Sequence, residues 1–130
     1  PFLRKERTMF WILDKDKNPV KVSDPLVWAE FFASPIENRR VAHTNILGGE
    51  IYVSTVFVGL QSPHYKHRDN QSWPMLFETL VFGGQLDGAL ERSPTWDDAE
   101  RLHNFMVERV KRTISPPPGY RDRLSVVRPI

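Results

Sequence analysis

The stretch Ile51-Tyr52-Val53-Ser54-Thr55-Val56-Phe57-Val58 decides the fold of this chain. It is rich in β-branched and aromatic residues, and both of its alternating faces are largely apolar, as is typical of a central strand. Residues 75–82, Met-Leu-Phe-Glu-Thr-Leu-Val-Phe, have the same character and end at Gly83-Gly84. We therefore expect these two strands to lie at the centre of a sheet.

Two hairpins are predicted on the N-terminal side of this centre. Gly48-Gly49 joins residues 41–47 to the central strand, and this dipeptide is typical of a tight hairpin turn that needs positive φ. Residues 10–13 and 20–22 flank a polar segment rich in turn-forming residues. The pattern thus predicts an antiparallel sheet of four to five strands.

Two helices are predicted as well. Asp24-Pro25 starts a short one, because the Asp24 side chain can accept hydrogen bonds from unpaired amides and proline suits the first helical position. Pro35 disfavours helical geometry at the residue before it, so this helix ends near Ser34. The longer helix begins after Thr95, a capping residue followed by acidic side chains that the positive helix end stabilises. Residues 85–92 are predicted to form an acidic connection.

The long helix has an apolar face with helical spacing. Its predicted members are Ala99, Leu102, His103, Phe105, Met106, Val110 and Ile114. Asp97 with Arg101 and Glu108 with Arg112 are expected to form ion pairs along the helix.

The predicted fold class is α+β, with an antiparallel sheet of four to five strands packed with one short and one long C-terminal helix. Residues 9–114 form this single domain. Residues 1–8 are interpreted as an N-terminal extension, and residues 115–130 as a proline-rich basic tail.

Size and composition fit one soluble domain. The chain has 130 residues and 15.2 kDa, and no apolar run approaches the roughly 20 residues of a membrane-spanning helix. Cysteine is absent, which excludes disulfides, thiolate zinc sites and cysteine nucleophiles. Residues 1–8 lack the apolar segment of a secretory signal, which favours a cytoplasmic location.

The net charge of +2 conceals a polarised distribution. Residues 84–100 hold five acidic residues and one arginine, whereas residues 101–130 hold seven basic and two acidic residues. The C-terminal stretch is therefore the part of the chain with the strongest attraction for an anionic partner.

The candidate binding residues lie in a long loop, residues 61–73, and in the tail. They are His64, Tyr65, Lys66, His67, Arg68 and Trp73 in the loop, and Tyr120, Arg121 and Arg123 in the tail. Loops of this length are disproportionately functional. Two histidines and Asp69 could hold zinc, but the interleaved cations would repel it. The default interpretation of this cluster is a solvated, flexible loop, and the alternative is a contact surface for an anionic partner. No metal or cofactor is predicted.

Glu78 stands inside an apolar strand, where a buried carboxylate needs a partner. The candidate partners are Arg39, Arg40, His43, Ser54 and Thr55. Beside a histidine Glu78 could act as a general base, but a structural cross-strand hydrogen bond is the expected role. His103 is expected to be a core histidine with one backbone partner. Trp11, Trp28 and Trp96 are expected in the core, and Trp73 on the surface.

Three segments resemble a family of small proteins found in bacteriophage and prophage genomes, a family without an assigned activity. They are residues 53–60 (Val-Ser-Thr-Val-Phe-Val-Gly-Leu), residues 74–84 (Pro-Met-Leu-Phe-Glu-Thr-Leu-Val-Phe-Gly-Gly), and residues 95–100 (Thr-Trp-Asp-Asp-Ala-Glu) with His103, Met106 and Val107. The resemblance spans roughly residues 9–114, and the 61–73 loop and the tail depart from it. It implies an accessory protein that binds host or virion components.

Three functions follow from these observations. The leading hypothesis is a non-enzymatic accessory protein of phage type, in the host cytoplasm, that binds a host or virion protein through the 61–73 loop and the tail. The alternative is nucleic-acid binding by the basic C-terminal stretch together with Tyr65, Lys66, Arg68 and Trp73. The third is a small enzyme that uses Glu78 and a histidine. No membrane partner is expected, and a homodimer is left open.

Overall fold

A computed structural model describes residues 8–61 and 74–115 of the chain. The strands are β1 (Met9–Leu13), β2 (Pro19–Val22), β3 (Arg40–Ile46), β4 (Ile51–Phe57), β5 (Leu60–Gln61), β6 (Phe77–Phe82) and β7 (Leu90–Ser93). The helices are α1 (Pro25–Ala33) and α2 (Trp96–Ile114), and short 3-10 turns occupy Ile36–Asn38 and Leu47–Gly49.

The strands form two antiparallel sheets, and the α+β class is confirmed. The larger sheet has the order β3-β4-β6-β7, so the two strands predicted at its centre do lie there. The smaller sheet has the order β2-β1-β5 and contains the predicted first hairpin. The helix starts are also as predicted, since Asp24 and Thr95 each accept a hydrogen bond from a backbone amide of the first turn.

The main core lies between α2 and one face of the larger sheet. Alternate residues of a strand point to opposite faces, so the buried positions of β4 and β6 share the face that contacts α2. The cluster consists of Ile46, Ile51, Val53, Val81, Met106, Val107 and Val110, with Leu86 and Ala89 at its margin. Burial of these side chains fixes the helix on this face.

A second cluster of buried side chains joins the smaller sheet to the larger sheet and to α2. Leu13, Phe57, Leu76, Phe77 and Ala99 are buried together, and Trp11, Phe31, Val41 and Trp96 pack around them. Trp11, Trp28 and Trp96 are each partly exposed, so they lie at the margin of the core rather than inside it. Trp11 donates to the Gln61 side chain and Trp28 to the Val58 carbonyl, each at 3.2 Å.

The predicted connection over residues 85–92 is wrong in part, because its second half is strand β7. Leu90–Ser93 pairs with β6, and Glu78 stands opposite Arg92. The strand is short and mostly exposed, so it carries none of the apolar periodicity on which the prediction depended. The hairpin after β3 is confirmed, although its turn is wider than a tight one, with positive φ at Leu47, Gly48 and Gly49.

The apolar face and the ion pairs of α2 differ from those predicted. Phe105, which was predicted on the apolar face, is 57% exposed, whereas Val107 is buried in the core. The ion pairs join residues three apart rather than four, since Arg101 pairs with Asp98 and Lys111 pairs with Glu108 at 3.8 Å. Both spacings place the charges on one side of a helix, so spacing alone does not select between them.

Gly59 is a close-packed point between the two sheets. It has φ +71°, and a Cβ there would meet the Trp11 carbonyl oxygen and lie 2.7 Å from the Phe57 ring. G59A is expected to lower the free energy of unfolding by about 2–4 kcal/mol, because strain adds to overpacking. Urea unfolding measures the change.

Gly88 provides the matched control, since its φ is +87° but a Cβ there would meet nothing within 4 Å. G88A should cost only about 1 kcal/mol, the strain of the left-handed conformation. Equal losses for G59A and G88A would contradict close packing at Gly59.

Candidate functional site

The binding residues predicted from the sequence lie outside the described residues. They are His64, Tyr65, Lys66, His67, Arg68 and Trp73 of the loop, and Tyr120, Arg121 and Arg123 of the tail. The candidate site is therefore sought on the surface of the described residues.

The face of the larger sheet opposite α2 is the candidate surface. In residues 8–61 and 74–115 no helix or strand packs across it. We call it the open face, and the strand registers place on it Arg40, His43, Asn45, Tyr52, Ser54, Val56, Glu78, Leu80, Phe82, Leu90 and Arg92. Most of these side chains are half-buried or exposed, so they are available to a partner.

Three rings form a stack at one end of the open face. The Tyr52 ring lies 4.5 Å from the Phe82 ring and 5.0 Å from the His43 ring, with interplanar angles of 18° and 30°. Because β3 and β6 flank β4, His43 and Phe82 cover opposite faces of the Tyr52 ring. Phe82 is exposed at one side of the stack, and Leu80 and Leu90, which pair across β6 and β7, stand on the same face.

Glu78 lies at the other end of the open face. Its carboxylate forms an ion pair with Arg92 of β7 at 2.9 Å, and both side chains are about one-third exposed or less, at 28% and 31%. None of the partners predicted for Glu78 is its ion-pair partner. The prediction failed because β7 was interpreted as a connection, so the strand that carries Arg92 was not considered.

The third hypothesis requires a histidine beside Glu78. His43 is on β3, two strands away from β6, and adjacent strands lie about 4.8 Å apart. Its ring stacks on Tyr52 and its Nε2 lies 3.2 Å from the Asn45 Oδ1, so it faces away from Glu78. In the described part of the chain, Glu78 and the histidines are thus not brought together, and His64 and His67 lie outside it.

His103 is sealed between α2 and the larger sheet, with 1% of its surface exposed. Its Nε2 lies 2.8 Å from the Thr44 hydroxyl, and its Nδ1 lies 2.8 Å from the Thr55 hydroxyl. Thr55 and Thr79 share a further hydrogen bond of 2.8 Å. The expected burial is confirmed, but the partners are two side-chain hydroxyls rather than one backbone group.

This network joins four elements, because Thr44, Thr55 and Thr79 belong to β3, β4 and β6. A neutral imidazole has one donor and one acceptor nitrogen, and threonine hydroxyls can fill either role, so both ring nitrogens are satisfied without charge. Burial, and secondly the nearby His43, lower the pKa of His103. The network therefore positions α2 on the sheet, and it gives His103 no access to a substrate.

No group of three or more histidine or acidic side chains in residues 8–61 and 74–115 is arranged to hold a metal ion. None of the helices in this part of the chain has the length and apolar character needed to cross a membrane.

The stack of His43, Tyr52 and Phe82 was missed at the level of sequence. Both faces of β4 are rich in apolar residues, which favoured burial on both sides. The available signal was that Tyr52, Ser54 and Glu78 fall on the same face, which places hydroxyl and carboxylate groups on a surface that a buried sheet would keep apolar. Comparison with family models, curated proteins and solved structures found no match for this chain.

His103 gives the structure a defined response to acid. Its folded-state pKa lies below the ordinary value of 6.5, so the unfolded chain binds the proton more readily. The contribution of neutral His103 to the free energy of unfolding is therefore complete above pH 6.5. It is lost as the pH falls from 6.5 through the lowered pKa of the folded state. Urea unfolding should show this fall between neutral and acidic pH.

H103Q keeps a hydrogen-bonding side chain but removes the titration. The stability advantage of the natural chain over H103Q should shrink as the pH is lowered. Stability curves that run parallel for the two proteins would contradict a buried, neutral His103.

Proposed function

We propose that this chain is a non-enzymatic protein-binding domain that contacts its partner through the open face, with the 61–73 loop and the 115–130 tail contributing at its two ends. The observation that carries the proposal is the uncovered aromatic stack with its aliphatic neighbours. Phe82 is 36% exposed and Leu90 is 43% exposed on a surface that no described element covers. Contiguous exposed apolar surface of this kind is typical of interaction sites.

The area of the open face indicates that it forms only part of the proposed interface. Four strands about 4.8 Å apart and roughly six residues long present a surface of about 15–20 Å in each direction, or roughly 300–400 Å². A stable interface buries about 800 Å² on each partner. The open face thus supplies about half of the area, and the two segments are the natural source of the remainder.

The two segments leave the described chain at opposite ends of the larger sheet. The 61–73 loop follows β5 and leads into β6, at the end of the sheet where Val58 N–H donates to the Leu76 carbonyl at 2.7 Å. The tail follows α2, whose last residues line a cleft with Ile46 and Leu47 at the opposite end. A partner on the open face therefore reaches the tail only around the end of the sheet that holds Ile46 and Leu47.

The chemistry of the open face favours a protein over a nucleic acid. Sheets that bind single-stranded nucleic acid offer free ring faces to the bases. Here both faces of the Tyr52 ring are occupied, and the charge of Arg92 is paired with Glu78. The exposed side chains of Phe82 and Leu90 suit the apolar side chains of a protein partner.

The basic stretch over residues 101–130 keeps nucleic-acid binding as the alternative. Phosphate contacts release counterions, so binding to DNA or RNA would weaken steeply as salt rises. No binding at low salt would exclude this alternative. The resemblance to proteins of bacteriophage and prophage genomes supports a host or virion protein as the partner.

The proposal is tested by placing a charge on the open face. F82K should reduce recovery of a specific partner from bacterial lysate by about tenfold or more, because a lysine would be desolvated in the interface. F105K is the matched control, since Phe105 is an exposed aromatic residue on the outer side of α2. The recovered proteins are identified and quantified by mass spectrometry.

A partner recovered equally by F82K and by F105K would exclude the open face as its binding surface. The tail is tested separately by truncation after Ile114. Unchanged recovery after truncation would remove the tail from the proposal while leaving the open face in place.

A further inference from the structure

Strand β3 forms one edge of the larger sheet. It pairs with β4 on one side, and no strand of residues 8–61 and 74–115 pairs with it on the other. The register with β4 is regular over residues 42–46, because the irregularity lies between Arg40 and Ala42. Alternate amide and carbonyl groups of this regular stretch therefore point away from β4, where they are a template for a further strand.

The two edges of the larger sheet differ in how they are protected. Proteins block pairing at an edge with short strands, charged side chains, prolines or bulges. Strand β7 is four residues long and carries Glu91 and Arg92, whereas β3 is seven residues long. The charge and the irregularity at the start of β3 protect only that end, since residues 42–46 are Ala-His-Thr-Asn-Ile. The regular stretch of β3 is thus the edge that is suited to pairing.

Two clefts lie beside this edge, on the side of the sheet that α2 covers. A cleft of about 400 Å³ is lined by Ala42 and by Asp97, Glu100, Arg101 and Asn104 of α2. A cleft of about 580 Å³ at the other end of β3 is lined by Ile46 and Leu47 together with residues 108–115. Helix α2 therefore runs along β3 in the same direction and leaves room at both ends of the regular stretch.

The cleft beside Ala42 has an excess of negative charge. Its cation Arg101 forms an ion pair with Asp98. Asp97 and Glu100 form no ion pair within the described residues.

The cleft beside Ile46 has an excess of positive charge. Lys111 lies 3.8 Å from Glu108, while Arg112 forms no ion pair within the part of the chain that the structure describes. The two clefts are therefore complementary in charge to each other, at opposite ends of the same strand edge.

We propose that β3 pairs with β3 of a second copy of this chain, antiparallel, about a two-fold axis through Thr44. Only this register pairs the whole of residues 42–46 with itself. It sets the small Ala42 opposite the larger Ile46 of the second copy, and His43 opposite Asn45. Thr44 meets Thr44 of the second copy, and cross-strand pairs of hydroxyl side chains stabilise a sheet.

The same register brings unlike clefts together. Because Ala42 opposes Ile46 of the second copy, the acidic cleft of each copy faces the basic cleft of the other. Glu100 of one copy then stands on the side of Arg112 of the other, and the two-fold axis creates this contact twice. The charge distribution along α2 thus favours a second copy over an unrelated strand.

The dimer is independent of the proposed function, because it uses the edge of the sheet and leaves the open face uncovered. The axis is perpendicular to the joined sheet, so the two open faces lie side by side on one surface. Their combined area is roughly 600–800 Å², near the about 800 Å² that a stable interface buries on one partner.

The test measures the oligomeric state of the full chain by analytical ultracentrifugation over a range of concentrations, and a monomer–dimer equilibrium is expected. E100R and R112E should each weaken the dimer by about tenfold, since each creates two contacts between like charges. An equimolar mixture of the two variants should dimerise like the natural chain, because the introduced arginine then meets the introduced glutamate. This recovery also shows that neither variant is misfolded.

E91R is the matched control, since it makes the same charge change at an exposed position on the other edge of the sheet. It should leave dimerisation unchanged. F82K should also dimerise normally, so failure of the dimer and failure of the open face are distinguishable.

The strand pairing is tested with introduced thiols, because the natural chain has no cysteine. Directly opposite residues of paired strands have Cβ atoms about 5 Å apart. Dibromobimane, which joins neighbouring thiols, should therefore cross-link a mixture of H43C and N45C, both at exposed positions. A mixture of N45C and E91C should not be cross-linked.

A monomeric full chain would overturn the inference. If truncation after Ile114 then produced the dimer, the tail would be the occupant of the β3 edge instead. A dimer that E100R and R112E leave intact, or one that E91R weakens equally, would place the interface elsewhere and overturn the inference as well. So would failure of the mixed charge variants to dimerise, or equal cross-linking of the two thiol mixtures.

Discussion

The packing of α2 on one face of the larger sheet is the constraint on which the rest of the structure depends. Met106, Val107 and Val110 bury against Val53 and Val81, and this contact assembles the main core. Helix α2 covers one face of the larger sheet, and no other helix or strand of residues 8–61 and 74–115 packs across the opposite face. The open face is therefore a direct consequence of how this core is built.

The His103 network gives this packing its specificity. Apolar side chains alone would tolerate a rotated or shifted helix, whereas the two ring nitrogens of His103 meet the hydroxyls of Thr44 and Thr55 in one orientation only. Thr79 extends the network to β6. Buried polar groups that are fully hydrogen-bonded define a unique arrangement, because any other leaves them unpaired. The network fixes the position of the strands beneath the open face.

The aromatic stack and the ion pair of Glu78 with Arg92 occupy opposite ends of the open face. Tyr52 lies between the rings of His43 and Phe82, so contacts among these three side chains order the apolar end. Glu78 and Arg92 pair at 2.9 Å across β6 and β7, so their charges compensate each other at the other end.

Local patterns in the sequence were sufficient for most elements of the fold. The β-branched runs of β4 and β6, the Asp24-Pro25 start of α1 and the Thr95 cap of α2 all depend on neighbouring residues, and each was predicted. Strand β7 depends on pairing with β6, and the partners of Glu78 and His103 come from other elements, so no local pattern revealed them. The open face was missed for the same reason, because burial of a strand is decided by what packs on it. The predicted loop and tail residues remain predictions.

Photo-cross-linking from position 82 tests directly whether a protein partner contacts the open face. A photoreactive phenylalanine analogue is placed at position 82 or at position 105 of the full chain, and cells that produce each protein are irradiated. Both positions carry an exposed phenylalanine, but only position 82 is on the open face. A discrete cross-linked protein is expected from position 82 and none from position 105. The absence of an adduct from position 82, or the same adduct from both positions, would contradict the claim that the open face is the contact surface.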